Sequence, residues 1–357
     1  MSVAKEKVQN FIQNLTQFVT FNEPQNYKNL TIIPLMLKDD ILDFITIKEA
    51  EEADLGYIQE MGSEEVASLQ AVNKGTKPIL IPYMQVVKGG KQDRTIYEPI
   101  LVPAGSSAEI TIPIPSKCIE RSRWAYRTAA ERMSKKFSTS PQKMTIGLSA
   151  KAMRAPYRMR SMQSEVWGSI EAMSDQMAIG YGASPTRSGI QLQETQKGKL
   201  EDYSKHFKIV KNQAGLIGLV NNQVVAIELY GTPAAFKIFW KDLINSYVME
   251  ALLRGANAKK LKPLTPAEAH ERALQCFEKH AMQFKERKGV GLGIIVEFTD
   301  ANLIWAGISL VYDNKFVHLY VVGKSIFPDE RPRVQQMRVS RLQRQINRPP
   351  RRESYTA

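Results

Sequence analysis

The sequence predicts an α+β fold: a β-rich, sandwich-like N-terminal half, a helical middle, a smaller α+β C-terminal half and a disordered basic tail. Three observations carry this reading. Short apolar runs separated by Gly, Pro and Asn recur about every ten residues from 29 to 118, the rhythm of a sandwich or barrel. From 121 to 178 the pattern turns helical and rich in Arg, Lys and Met. From 215 to 322 hairpin signals alternate with two well-capped helices. The implied segments are 1–27 (an amphipathic helix), 28–190 (β-rich with a helical insert), 191–330 (α+β, packed on the first half) and 331–357 (the tail).

In chain order, Val8, Phe11, Ile12, Leu15, Phe18 and Val19 share one face of a helix predicted over 3–19. That face packs on its own domain or forms a homodimer or partner contact. Strands are expected at 30–36, 56–60, 67–72, 78–82, 95–103 and 108–114, with a helix interrupting them at 46–53. Pro99, Pro103, Pro113 and Pro115 favour edges and strand ends, because proline cannot donate to a ladder. Helices are expected at 122–137 and 163–177, then a small, polar loop running into a polar helix over 180–205. Gly215–Val220, Asn221-Asn222 and Gln223–Tyr230 read as a hairpin. Thr232 and Pro233 start a helix whose broad apolar face carries Phe236, Phe239, Trp240, Leu243, Tyr247 and Leu252, and Gly255 ends it. Thr265, Pro266 and Glu268 open a second helix, expected to reach Arg287. Strands near 293–298, 303–311 and 316–322 close the fold.

Charge is unevenly placed. The chain carries +13, and Arg331, Arg333, Arg338, Arg341, Arg344, Arg348, Arg351 and Arg352 supply +8 of it within a segment free of Asp, Glu and Lys. Such a segment repels itself until an anion neutralises it. Val339, Leu342 and Ile346 fall on one helical face, with Arg341, Arg344 and Arg348 roughly opposite. A tail folding on a phosphodiester backbone is the reading, with nucleic acid, RNA or a ribonucleoprotein as partner; a solvated tail is the alternative. No apolar run approaches the roughly 18 residues of a membrane span, and the start has no secretory pattern. Cys118 and Cys276 make no disulfide framework. A cytoplasmic protein without a membrane partner is expected.

Several motifs bear on chemistry. Gly89-Gly90-Lys91-Gln92-Asp93-Arg94 lies between strands; Lys91, Gln92 and Arg94 suit a phosphate held against glycine backbone, or the segment is a charged hairpin turn. It lacks the spacing and hydroxyl of a P-loop. Glu120 is a candidate general base or ribose-hydroxyl acceptor, Arg123 a phosphate fork and Trp124 a stacking platform. Otherwise Glu120 and Arg123 form an ion pair and Trp124 enters the core. Cys118 has no His nearby to activate it. Cys276 and His280, one turn apart, could begin a zinc site, but nothing nearby completes it. Gly289-Val-Gly-Leu-Gly293 precedes a strand, so no helix terminus would receive a pyrophosphate. No cofactor or metal is expected. His318, in an apolar strand, is a half-buried structural histidine or a catalytic one.

Taken in order, a dispersed set of residues resembles a known family: Leu30–Leu35, Gly90–Arg94, Cys118–Trp124, Gln163–Trp167, Ser184–Thr186, Ser246-Tyr247, Glu250–Leu252 and His318. The family is the ARG and rhodanese-phosphatase-superfamily-associated protein domain, over about residues 29–324. The resemblance implies a place near nucleotide or ADP-ribose metabolism or RNA repair, and names no catalytic group. Met84-Gln85 stand where the pattern leads one to expect Gly-Glu, so a role for that carboxylate in relatives would be missing here. Two functions follow as expectations. One is a non-catalytic RNA or ribonucleoprotein binder anchored by the tail. The alternative is an enzyme or sensor for ADP-ribose or a related nucleotide, with Lys91, Gln92, Arg94, Glu120, Arg123 and His318 lining one pocket.

Overall fold

A computed structural model describes residues 2–38, 42–61, 68–89, 92–105, 108–120, 136–144, 163–182, 186, 188–255 and 262–323. Its centre is a nine-stranded antiparallel sheet that takes strands from both ends of the chain. The order is β1 (Val19–Phe21), β3 (Leu30–Leu37), β13 (Gly215–Val220), β14 (Gln223–Tyr230), β18 (Lys315–Val322), β17 (Ala306–Tyr312), β16 (Ile294–Asp300) and β15 (Met282–Lys288), with β2 (Gln25–Tyr27) also on β3. β3 lies against β13 in register Ile33↔Ile217.

Six strands close a barrel in the order β11 (Ile110–Cys118), β6 (Ser68–Asn73), β5 (Gly56–Glu60), β12 (Lys136–Lys143), β8 (Gln85–Lys88) and β9 (Arg94–Ile96). A small sheet joins β10 (Ile100–Val102), β7 (Ile79–Ile81) and β4 (Ile45–Thr46). The helices are α1 (Val3–Gln13), α2 (Leu15–Phe18), α3 (Ile47–Glu52), α4 (Gln163–Tyr181), α5 (Gly189–Glu194), α6 (Lys197–Ser204), α7 (Pro233–Gly255) and α8 (Pro266–Gln275). Among the described residues no helix is long and apolar enough to cross a membrane.

The central sheet separates two cores, because successive strand residues face opposite sides. Ile217, Leu219, Ile227, Leu229, Leu319 and Val321 meet α1, α2 and α8 on one side. Leu216, Ala226, Tyr230 and Tyr320 meet α7 and the barrel on the other. The N-terminal apolar face is spent on its own sheet: Val8, Phe11, Ile12, Leu15, Phe18 and Val19 are all buried there. The helix predicted over 3–19 breaks at Asn14, whose extended backbone separates α1 from α2, and Val19 already belongs to β1.

Three other expectations change. Residues 95–103 form two strands, β9 and β10, with Glu98-Pro99 outside both. Lys136 and Phe137, expected at the end of the 122–137 helix, open β12, which pairs with β5 and β8 to close the barrel. The helix at 265 ends at Gln275. Met282–Lys288 is instead a strand on β16, its Met282 and Phe284 alternating with exposed Gln283 and Lys285. The remaining stretches of 121–162 and the tail from 324 lie outside the described residues.

Candidate functional site

Glu228 sits in the apolar strand Val224-Val-Ala-Ile-Glu-Leu-Tyr and points with Ala226 and Tyr230 toward α7 and the barrel. It is wholly buried. One oxygen, Oε1, accepts three bonds: from Lys143 Nζ, from Tyr230 OH at 3.0 Å and from His318 Nε2 at 2.9 Å. Each partner arrives on a different strand or register. Lys143 is the last residue of β12, its carbonyl held by Gln193 Nε2 at 2.8 Å. His318 lies directly across the ladder from Tyr230, and Tyr320 across from Glu228. The Lys143 ammonium stands 4.7 Å from the Tyr320 ring centre.

α7 adds two further groups. Asp242 accepts both contacts of Lys48 Nζ, at 2.8 and 2.7 Å, and one from Gln85 Nε2 at 3.4 Å. Gln85 is the β8 partner of Lys143. Tyr247 reaches over Gly218 of β13, where an added Cβ would stand 2.2 Å from its ring. Lys48, with 22% of its side chain exposed, lies on the outer side of Asp242, which is itself buried. The charged groups thus run from Lys48 through Asp242 to Lys143, Glu228 and His318.

The titration states follow from the surroundings. Burial would push the Glu228 carboxyl up, but Lys143 and His318 outweigh it and hold it below its usual value. Burial pulls His318 below the usual imidazole value, against the bond to Glu228. The ring is therefore neutral at pH 7, and that bond assigns its proton to Nε2. Burial, with Glu228 close by, drives Tyr230 and Tyr247 well above the usual phenol value, so both stay protonated.

Among the described residues, three buried polar atoms of this cluster have no hydrogen-bond partner: Glu228 Oε2, His318 Nδ1 and Tyr247 OH. Leaving such an atom unbonded costs about 1–3 kcal/mol. A purely structural ion pair would be expected to satisfy both carboxylate oxygens. The arrangement offers two proton acceptors, a phenol donor and an ammonium, which is the equipment of acid–base chemistry on a small polar ligand.

The residues singled out from sequence fall into two groups. Gln92, Arg94 and Glu120 meet at the barrel. Gln92 is buried and donates to the Glu120 carbonyl at 2.9 Å, while Arg94 pairs with Glu60 at 3.4 Å and donates to Ser116 at 3.4 Å. Glu120 is buried and bridges to Ser188. His318 keeps different company, on the central sheet with Glu228, so the single pocket expected for all of these residues is resolved into two clusters. His318 is also fully buried rather than half-buried. Lys91, Arg123, Trp124 and the tail arginines Arg331 to Arg352 lie outside the described residues.

The Gly89 segment joins β8 to β9, with Gly89 at φ 125° and its N–H bonded to Asp93. Burial raises the Cys118 thiol, in keeping with an inert side chain. Gln163 bonds both backbone groups of Cys118, at 2.9 and 2.5 Å. Thr186 is engaged locally by Gln191 and Ser188. His280 is bound to Asp300 at 3.0 Å, and among the described residues no group of three or more His, Cys, Asp or Glu gathers to hold a metal. Gly291 packs against the Leu101 carbonyl, where a Cβ would stand 2.1 Å away, so this glycine run serves packing.

Sequence reasoning missed Lys143, Glu228, Tyr230 and Asp242. The available signal was a lone carboxylate inside each apolar stretch, since a buried charge demands a partner. A cleft of about 460 Å³ also opens between α1, α8 and β15, lined by Ile12, Leu274, Phe277, His280 and Phe284. It lies on the other face of the sheet from Glu228, and its histidine is already paired.

The chain matches the model of the ARG and rhodanese-phosphatase-superfamily-associated protein domain over residues 18–322. It belongs to that family. The family domain starts before residue 29, taking in β1 and β2, the strands that flank β3. It leaves out α1 and the basic tail, as expected. No curated protein and no solved structure matches the chain. Two of the residues that carry the resemblance, Tyr247 and His318, fall in the Glu228 cluster of the family domain, as does Gln85, which stands where a carboxylate was expected.

Proposed function

We propose that this protein is an enzyme or sensor for a ribose-bearing nucleotide of the ADP-ribose class, held where Glu228, His318, Lys143 and Tyr247 converge. One observation carries this reading: Glu228 Oε2, His318 Nδ1 and Tyr247 OH of this cluster are buried and, among the described residues, without hydrogen-bond partners. A ribose presents hydroxyls that donate to a carboxylate and an imidazole nitrogen and accept from a phenol. The nucleotide class comes from the family's association with ARG and phosphatase proteins, a warrant of association only.

The test is a melting and turnover assay on the full chain with ADP-ribose, NAD, ADP and AMP. A ligand bound only by the folded state stabilises it by roughly 2.7 kcal/mol at about a hundred times its Kd. The expected result is a rise in Tm with ADP-ribose that is lost in E228Q. Glutamine is chosen because it keeps the side chain's volume and an acceptor oxygen for Tyr230 and His318 while removing the charge that pairs with Lys143. No rise and no product with any of the four compounds would overturn the reading.

The charge of Arg331 to Arg352 favours a second reading, an arm that grips an RNA backbone. Replacing its eight arginines with glutamine should weaken single-stranded RNA binding. It should also flatten the salt dependence by about 0.7 in log–log slope per lost phosphate contact. An unchanged slope would remove the arm's role.

A further inference from the structure

We infer that Lys143 is a covalent nucleophile, whose amine condenses with the ring-opened C1 aldehyde of a ribosyl ligand to form an imine. The inference rests on the site proposed above and goes beyond binding. Lys143 projects from the end of β12 into the Glu228 cluster, with only 2% of its side chain exposed. Among the described residues its ion-pair partner is Glu228, while Lys48 is committed to both oxygens of Asp242.

Imine formation needs an amine able to shed its proton, an acid for the departing water and a dry pocket. Burial weakens the hold of Lys143 on its proton, against the attraction of Glu228 and Asp242. Glu228 touches the ammonium and His318 Nε2 through Oε1; among the described residues its Oε2 and the His318 Nδ1 have no hydrogen-bond partner. Tyr230 bonds the same carboxylate, and Tyr247 offers a hydroxyl without a hydrogen-bond partner among the described residues.

The step balances without a further reagent. Lys143 gives one proton to Glu228, and its lone pair forms the C–N bond to the aldehyde carbon. The carbonyl oxygen takes a proton from Tyr247 and becomes the hydroxyl of a carbinolamine. That hydroxyl leaves as water with the proton held by Glu228, while the nitrogen returns one of its two protons to the Tyr247 oxygen, keeps the other and closes the C=N bond as a protonated imine. The net change is ammonium plus aldehyde to protonated imine plus water, with Glu228 and Tyr247 restored.

The test treats the full chain at neutral pH with ADP-ribose and sodium cyanoborohydride, followed by intact mass and peptide mapping. The expected result is one reduced adduct per chain, on Lys143, absent in K143R and slowed in H318Q, which keeps the amine. Where K143R fails to fold, the peptide map of the native protein decides alone. Adducts spread over exposed lysines, with none favoured at Lys143, would overturn the inference. A rise in Tm with ADP-ribose but no trapped adduct would overturn it while leaving the binding site standing. Neither a rise nor an adduct would remove both.

Discussion

His318 gives the residue scale its clearest measurable consequence. Its ring is faced by Glu228, Tyr230 and the Lys143 charge, and is held neutral by burial. An imidazole whose folded pKa lies below its unfolded value leaves the unfolded chain binding more protons as pH falls below about 6.5. Stability should therefore drop from there downward. Glu228, held below its ordinary value, adds a further loss at lower pH as its folded pKa is crossed. Urea midpoints at pH 7.5 and 5.5 should differ less in H318Q than in the native chain; an equal difference would assign the acid sensitivity elsewhere. Met84 belongs to the same scale. It precedes Gln85 with φ 61°, a left-handed backbone that suits glycine. The glycine that the family pattern led one to expect at this position thus has a backbone reason.

Among elements, the contact of α7 with β13 decides where the phenol of Tyr247 stands. Gly218 leaves room for the ring, which an added methyl would meet at 2.2 Å. Overpacking of this kind costs about 1–3 kcal/mol. G218A should lower the unfolding free energy from urea titration by that amount and weaken any ligand-induced rise in Tm; a neutral effect would mean that the helix shifts freely. The elements best read from sequence were those with local punctuation. Asn221 and Asn222, at φ 52° and 62°, make the hairpin between β13 and β14. Thr46 and Thr265 close capping boxes with Glu49 and Glu268. β12 and β15 were misread because their state depends on distant strands. A charged stretch such as Met282–Lys288 satisfies a helical pattern as readily as a strand until β16 is beside it.

For the whole molecule, the central sheet cannot be assembled from either half alone. β1 to β3 come from residues 19–37 and flank β13, while the remaining strands come from beyond 215. Lys143 ties the barrel to that sheet through Glu228, and α7 packs between them. A single cooperative unfolding transition is expected, with fluorescence and circular dichroism coinciding. Two separated transitions would show that the barrel folds independently.

By itself the sequence determined the α+β class, most of the strands, the helix starts, the family and the concentration of charge at 331–352. Those features are encoded by periodicity, by turn and cap chemistry and by counting charges, all of which act over a few residues. The tertiary structure alone decided that Lys143, Glu228, Tyr230, Asp242 and His318 would meet. Buried charges choose partners by position in space, and nothing in their separation along the chain records that choice.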